Sequence, residues 1–135
     1  MQDTLPIHFA PLQGYTEAIY RNAHDAFFGG VDTYYTPFVR LEKGNFRRRD
    51  VRGIEPENNG VTHLIPQLIA SSAEKAEVIL SLFIEKGYQE VDINLGCPFP
   101  LLAKRHNGSG ILPYPEEVKA LLSIVTRYPQ ISFSV

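Results

Sequence analysis

Residues 90–98 read Glu-Val-Asp-Ile-Asn-Leu-Gly-Cys-Pro. The run 90–95 reads as a short strand set off by its flanks. Gly96 allows a sharp exit from it, and Pro98 restricts the chain that follows. Cys97, the single cysteine of the chain, therefore stands where a strand ends. In a parallel α/β sheet that end is where the chemistry is carried.

The flanking sequence supplies such a sheet. Residues 6–11 form a short apolar strand bounded by prolines. Thr16 caps a helix running to about Phe28, with Ile19, Ala23, Ala26 and Phe27 as its apolar face and Gly29-Gly30 as its stop. Residues 31–39, rich in Tyr, Thr and Val, are a second strand whose regular pairing ends before Pro37. Residues 40–62 are interrupted by Gly44, Gly53, Pro56 and Gly60 and show no clear element. A third strand spans 61–70.

Helix 71–87 follows at once, with Ser71 and Glu74 at capping-box spacing and Gly87 as its stop. Its expected buried stripe is Ala73, Ala76, Val78, Ile79, Leu82 and Phe83. After strand 90–95 comes a glycine-rich loop over 96–113. Pro115, Glu116 and Glu117 open another helix, along which Val118, Leu121, Leu122 and Val125 recur at helical spacing; Pro129 closes it. Residues 131–135 alternate apolar and polar as a fifth strand. The alternation of strands and helices predicts an α/β fold with a parallel sheet and right-handed crossovers. A doubly wound sheet and a TIM barrel both begin this way.

The chain has 135 residues, 44% of them hydrophobic and 21% charged, which predicts a folded core rather than disorder. Its formal net charge is -2, so the chain as a whole does not advertise a polyanion partner. Residues 40–52 depart from that balance, with six basic and two acidic side chains. They read either as a solvated crossover or as an RNA-backbone contact in which Arg47, Arg48 and Arg49 touch phosphates and Phe46 offers an aromatic surface. One cysteine forms no internal disulfide, which fits a reducing compartment. The opening residues lack a basic region followed by a long apolar run, and no apolar run approaches the roughly 20 residues that span a bilayer. A cytoplasmic protein without a membrane segment is expected.

Cys97 is readable as a small buried hydrophobe, as a proton donor or as a nucleophile. A free thiol titrates near about 8.5, close enough to neutrality for general acid work. Asn94 either satisfies local backbone or presents its amide to a ring with alternating donors and acceptors. Gln67 interrupts an apolar strand, either as a satisfied core amide or as a hydrogen-bond partner of a planar cofactor. Residues 106–110, His-Asn-Gly-Ser-Gly, match neither a GxGxxG nor a P-loop pattern but can form an anion-binding nest. Lys104 and Arg105 adjoin them, as solvated charges or as phosphate ligands. The four histidines form no H-x-x-x-H pair and no close Cys-His cluster, so no structural metal is expected. No G-x-S-x-G elbow is present.

Taken together these motifs resemble the tRNA-dihydrouridine synthase family. The order APLQGYTEAIYR, YYTPFV, PQLI, NLGCP and KRHNGSGILPYPE follows that family's succession across nearly the whole chain. The resemblance implies a flavoprotein with a (β/α)8 TIM-barrel catalytic domain and a smaller helical domain. Residues 1–135 would be the N-terminal portion, a partial barrel of roughly strands one to five, with the C-terminal half-barrel and helical tRNA-binding domain absent. It implies reduction of tRNA uridine to 5,6-dihydrouridine, with NADPH supplying electrons to FMN. Cys97 would then donate a proton at uracil C5, Pro11 and Leu12 would meet the flavin through their backbone, Gln67 would hydrogen-bond its ring, and Asn94 would position flavin or uracil.

Some positions differ from the family pattern: Leu12 stands for methionine, Glu17 for aspartate, Pro37 for glutamate, Pro100 for lysine and His106 for glycine. Two alternatives accompany this reading: another FMN-dependent TIM-barrel reductase of small conjugated substrates, and a non-catalytic RNA-binding half-barrel. Strand edges left unpaired in a partial barrel predict exposed apolar surface or self-association. If residues 1–135 were the whole molecule, weak or absent FMN binding and no useful tRNA reduction would be expected.

Overall fold

A computed structural model describes residues 4–135; residues 1–3 lie outside the described residues. Its elements, in chain order, are β1 (His8–Phe9), α1 (Ala18–Phe27), β2 (Thr33–Tyr35), β3 (Leu41–Glu42), β4 (Asn45–Phe46), α2 (Arg48–Ile54), β5 (Leu64–Ile65), β6 (Gln67–Leu68), α3 (Ala73–Glu85), β7 (Glu90–Ile93), α4 (Pro100–Ala103), α5 (Pro115–Arg127) and β8 (Ser132–Ser134). Single 3₁₀ turns occupy Pro56–Asn58 and Gly108–Ile111.

One sheet is ordered β1-β2-β5 and another β6-β7-β8, all parallel. Pro66 separates β5 from β6 because it has no N–H to donate to the ladder. The backbone nevertheless crosses the gap. Thr36 N–H donates to Ile65 C=O, Val39 N–H to Gln67 C=O and Asp92 N–H to Pro66 C=O. The five strand positions therefore neighbour one another in chain order. No reversal of the doubly wound kind occurs among the described strands.

Regular β2 pairing stops before Pro37, as expected, but the extended path resumes beyond it through a parallel bridge between Val39 and Leu68. The crossover 40–62 is structured. Lys43 and Gly44, both at positive φ, form the two-residue turn of the β3–β4 hairpin. Helix α2 follows directly. Phe46, expected as an aromatic surface, instead packs against the main core with Leu41.

That core lies between one face of the sheet and helices α3 and α5. Ala76, Ile79, Leu80 and Phe83 of α3, Leu121 and Ile124 of α5, and Val91 and Ile93 of β7 are fully buried in it. Each large side chain among them adds roughly 1.5–3 kcal/mol by leaving water. The stripe on α3 is shifted from expectation, with Leu80 buried and Val78 about half exposed. Its cap is Ser72, whose Oγ accepts from Lys75 N–H, while Ser71 binds the Lys75 ammonium.

Helix α1 departs most from expectation. Glu17 precedes it without a side-chain cap, because Thr16 Oγ1 is occupied by Leu12 N–H. Its apolar stripe points outward, with Ile19 86% and Phe27 85% exposed. The buried face holds Ala18 and Arg21 instead. The Arg21 guanidinium donates to Thr16 C=O, Gly53 C=O and Asn59 Oδ1, tying α1 to the crossover. Burial lowers its pKa from the usual guanidinium range to about 10, against the opposing pull of Tyr88 and Glu17. This polar anchor sets which side of α1 faces inward.

Candidate functional site

Side chains alternate across β7. Val91 and Ile93 enter the helix-covered core, so Glu90, Asp92 and, just beyond the strand, Asn94 share the opposite face. Asp92 is in register with Gln67 on β6 and with Ser134 on β8. A chain of polar side chains results. Ser134 Oγ donates to Asp92 Oδ1 at 2.6 Å, and Gln67 Nε2 donates to Asp92 Oδ2 at 2.6 Å. Asn94 Nδ2 donates to Gln67 Oε1 at 2.9 Å. Gln67 is 7% and Asp92 9% exposed, so these charge-assisted bonds are made where unpaired polar groups are costly.

The chain ends at Cys97. Asn94 Oδ1 accepts the N–H groups of Gly96 at 3.1 Å and Cys97 at 2.9 Å, closing the turn that follows β7. Cys97 C=O accepts Ser109 N–H at 3.0 Å and Ser109 Oγ at 3.1 Å, which folds the glycine-rich loop back onto it. Gly108 lies so close, at φ +57°, that a Cβ there would stand 2.6 Å from the Cys97 carbonyl oxygen. The half-buried Cys97 side chain rests against Phe38, Ile69 and Leu102. Its backbone is thus held on both sides, and the residue as a whole is only partly buried.

Gln67 is equally constrained from below. Its N–H donates to Thr36 Oγ1 at 3.0 Å, a side chain standing in for ladder pairing near Pro37. Further toward the amino ends of the strands, His63 Nε2 meets Glu90 Oε1 at 2.7 Å, His63 Nδ1 meets Thr33 Oγ1 at 3.0 Å, and Tyr35 Oη meets His8 Nδ1 at 2.9 Å. Burial, then the carboxylates of Asp92 and Glu90, raise the pKa of the Tyr35 phenol.

The expected site residues fall into separate groups. Gln67, Asn94 and Cys97 come together as described. At the β1 end, Leu12 spends its N–H on Thr16 Oγ1 and its C=O on the N–H groups of Tyr15 and Thr16. Pro11 C=O enters no hydrogen bond among the described residues. Arg47 Nε and Nη2 both bond the buried Asp50 carboxylate at 2.8 Å, so this arginine anchors the first turn of α2 instead of projecting freely. Burial raises the pKa of Asp50, against the opposing pull of Arg47. Arg48 and Arg49 are exposed on α2. Arg49 lines a crevice with Gln13, Thr36 and Pro37, whereas Arg105 lines a different cleft with Arg40, Lys43 and Lys75. Lys104 is exposed beside Arg105.

Asp92, Ser134 and Thr36 were not among the expected site residues, and Ser109 was expected only as part of the 106–110 nest, not as a partner of Cys97. Asp92 had a sequence signal, since it lies two positions before Asn94 on a strand and so shares its face. The other three are brought in by register and loop closure.

This arrangement places an amide-bearing strand end and a tethered thiol at the carboxyl end of a sequentially ordered parallel sheet. In α/β proteins of this class, ligand sites lie at that end. A family model described as dihydrouridine synthase matches residues 8–135. The chain belongs to the dihydrouridine synthase family. It is 28% identical over 122 residues to "Probable tRNA-dihydrouridine synthase 1" of Synechocystis sp., covering 86% of this chain and 32% of that protein. It is 24% identical over 118 residues to tRNA-dihydrouridine synthase B of Pectobacterium carotovorum, covering 87% of this chain and 36% of that protein. Against tRNA-dihydrouridine synthase B of Klebsiella pneumoniae the identity is 33% over 61 residues, 45% of this chain and 19% of that one. The chain therefore spans about a third of the length of the Synechocystis and Pectobacterium relatives. No helix among the described residues is long and apolar enough to cross a membrane.

Proposed function

We propose that the whole protein reduces uridine in tRNA to 5,6-dihydrouridine, with FMN as redox cofactor and NADPH as electron donor. In this reading the chain is the N-terminal part, roughly five strands, of a (β/α)8 catalytic barrel. The observation that carries it is the turn in which Asn94 joins Cys97 to Gln67 at the carboxyl end of β7, in a chain of this family.

The donor set fits the polar edge of a flavin ring. Gln67 Nε2 spends one hydrogen on Asp92 and Asn94 Nδ2 spends one on Gln67, and each amide nitrogen carries a second. Pro11 C=O offers an acceptor at the neighbouring strand end, and Leu12, its own polar groups committed, supplies apolar contact. When bound, the flavin supplies hydride to the uracil ring.

Cys97 holds the proton that completes the reduction at C5. Its fixed backbone keeps the thiol in one place, the requirement for general acid work. Asn94 and Gln67 orient the ring partners. The target base must leave its stack to reach the strand end, and Lys104, Arg105, Arg48 and Arg49 meet the RNA backbone around it. Arg47 contributes indirectly, through α2. Self-association is a further reading, supported by the exposed Ile19 and Phe27 stripe of α1 and checked by sedimentation velocity.

The test is Cys97→Ala in the natively purified protein. The rate of dihydrouridine formation in unmodified tRNA should fall by about 10²–10⁴-fold with flavin absorbance retained. An undiminished rate removes Cys97 from the reaction. Activity on free pyrimidines or enones but not on tRNA would replace the substrate class.

A further inference from the structure

A second feature stands beside the Cys97 turn. The β3–β4 hairpin, the start of α3 and the segment after α4 enclose a cleft of about 290 Å³. Arg40, Lys43, Lys75 and Arg105 line it, against the single lining carboxylate of Glu42. These four cations come from three stretches that sequence proximity does not connect. Ile69 and Leu102 also line the cleft, and they belong to the apolar cluster on which Cys97 rests. The cleft and the thiol thus share a wall at the carboxyl ends of the strands.

The lining fits an anion such as a phosphate. No lining residue is aromatic, so there is no platform for a base or a nicotinamide ring. Lys43, Lys75 and Arg105 are exposed, within reach of a polyanion crossing the surface. Glu42 meets Arg40 at 3.2 Å and leaves a surplus of positive charge. Arg40 Nε is buried and has no hydrogen-bond partner among the described residues. An unsatisfied buried donor is costly, and an anion in the cleft would complement it.

We infer that this cleft seats a backbone phosphate of the RNA substrate next to the base presented to Cys97. The inference rests on the tRNA reading proposed above. Its contribution is affinity, independent of sequence, because phosphate contacts position a nucleic acid without reading its bases.

The test is fluorescence anisotropy of a labelled, unmodified tRNA transcript bound by the purified protein over a series of KCl concentrations. Lys75→Gln and Arg105→Gln should each weaken binding to different tRNAs alike. Each should also flatten the plot of log affinity against log salt by about one unit. Arg105→Lys, which keeps the charge, should restore the slope. Lys119→Gln on α5 makes the same charge change outside the cleft and should leave the slope unchanged.

Three results overturn the inference: no salt-dependent tRNA binding by the unsubstituted protein, unchanged slopes in both cleft variants, or an equal change in Lys119→Gln. A parallel titration with NADPH separates the other phosphate source. Loss of NADPH affinity in Arg105→Gln with the RNA slope intact assigns the cleft to the dinucleotide and overturns the RNA assignment. Cleft-dependent tRNA binding without any dihydrouridine product would defeat the proposed reaction and leave the cleft standing.

Discussion

Gln67 and Asp92 are register partners across β6 and β7, and the Gln67 amide donates to the Asp92 carboxylate at 2.6 Å. Asp92 also accepts Ser134 Oγ, so one buried carboxylate orients two neighbouring strands. Asp92→Ala leaves both donors without it. A hydrogen bond to a charged group contributes about 1.5–3 kcal/mol, and a loss of at least that order is expected in urea denaturation. Asp92→Asn keeps the shape and should recover part of the loss.

Gly110 abuts the backbone of α4. A Cβ there would lie 2.1 Å from Ala103 C=O and 2.4 Å from Ala103 Cα. Neither atom can move aside as a flexible side chain could. Gly110→Ala should therefore cost about 1–3 kcal/mol, the range for overpacking, and displace the loop that holds Cys97. A lowered denaturation midpoint with faster alkylation of Cys97 is the expected result.

His106 occupies the left-handed position that ends α4, at φ 55°. Its N–H donates to Ala103 C=O and the next N–H to Leu102 C=O, a Schellman pattern normally completed by glycine. The ring is held by Glu117 Oε2 at 2.7 Å and by stacking on Tyr114 at 4.1 Å. Both His106→Ala and His106→Gly lose those contacts, but only alanine keeps the backbone strain. The glycine variant should be the more stable of the two by about 1 kcal/mol, measured by thermal denaturation.

Tyr88 Oη donates to Ile54 C=O at 2.7 Å. Burial, reinforced by Glu55 and opposed by Arg21, pushes its phenol from 10.0 to about 12. A raised folded-state pKa means that the unfolded chain loses its proton first. The stability due to this group is complete below pH 10 and declines as pH rises from 10 toward 12. Tyr88→Phe should remove that part of the alkaline slope in denaturation midpoints measured across the same window.

Local rules read from the sequence placed the strand positions, the three long helices and the Gly96–Cys97–Pro98 exit after β7, because period, caps and breakers act over a few residues. They also singled out Gln67, Asn94 and Cys97, whose residue types are unusual where they stand. They missed the outward turn of the α1 stripe, since hydrophobic spacing carries no information about the acceptors that bury Arg21. The β3–β4 hairpin was hidden because Lys43 takes the positive φ beside Gly44, a conformation uncommon for lysine. Chain-order pairing of the strands and the bonds from Asp92 to Gln67 and Ser134 depend on register between distant segments. So does the meeting of Arg40, Lys75 and Arg105 in one cleft. Such contacts exist only once crossovers bring the segments together, and only the tertiary structure decides them.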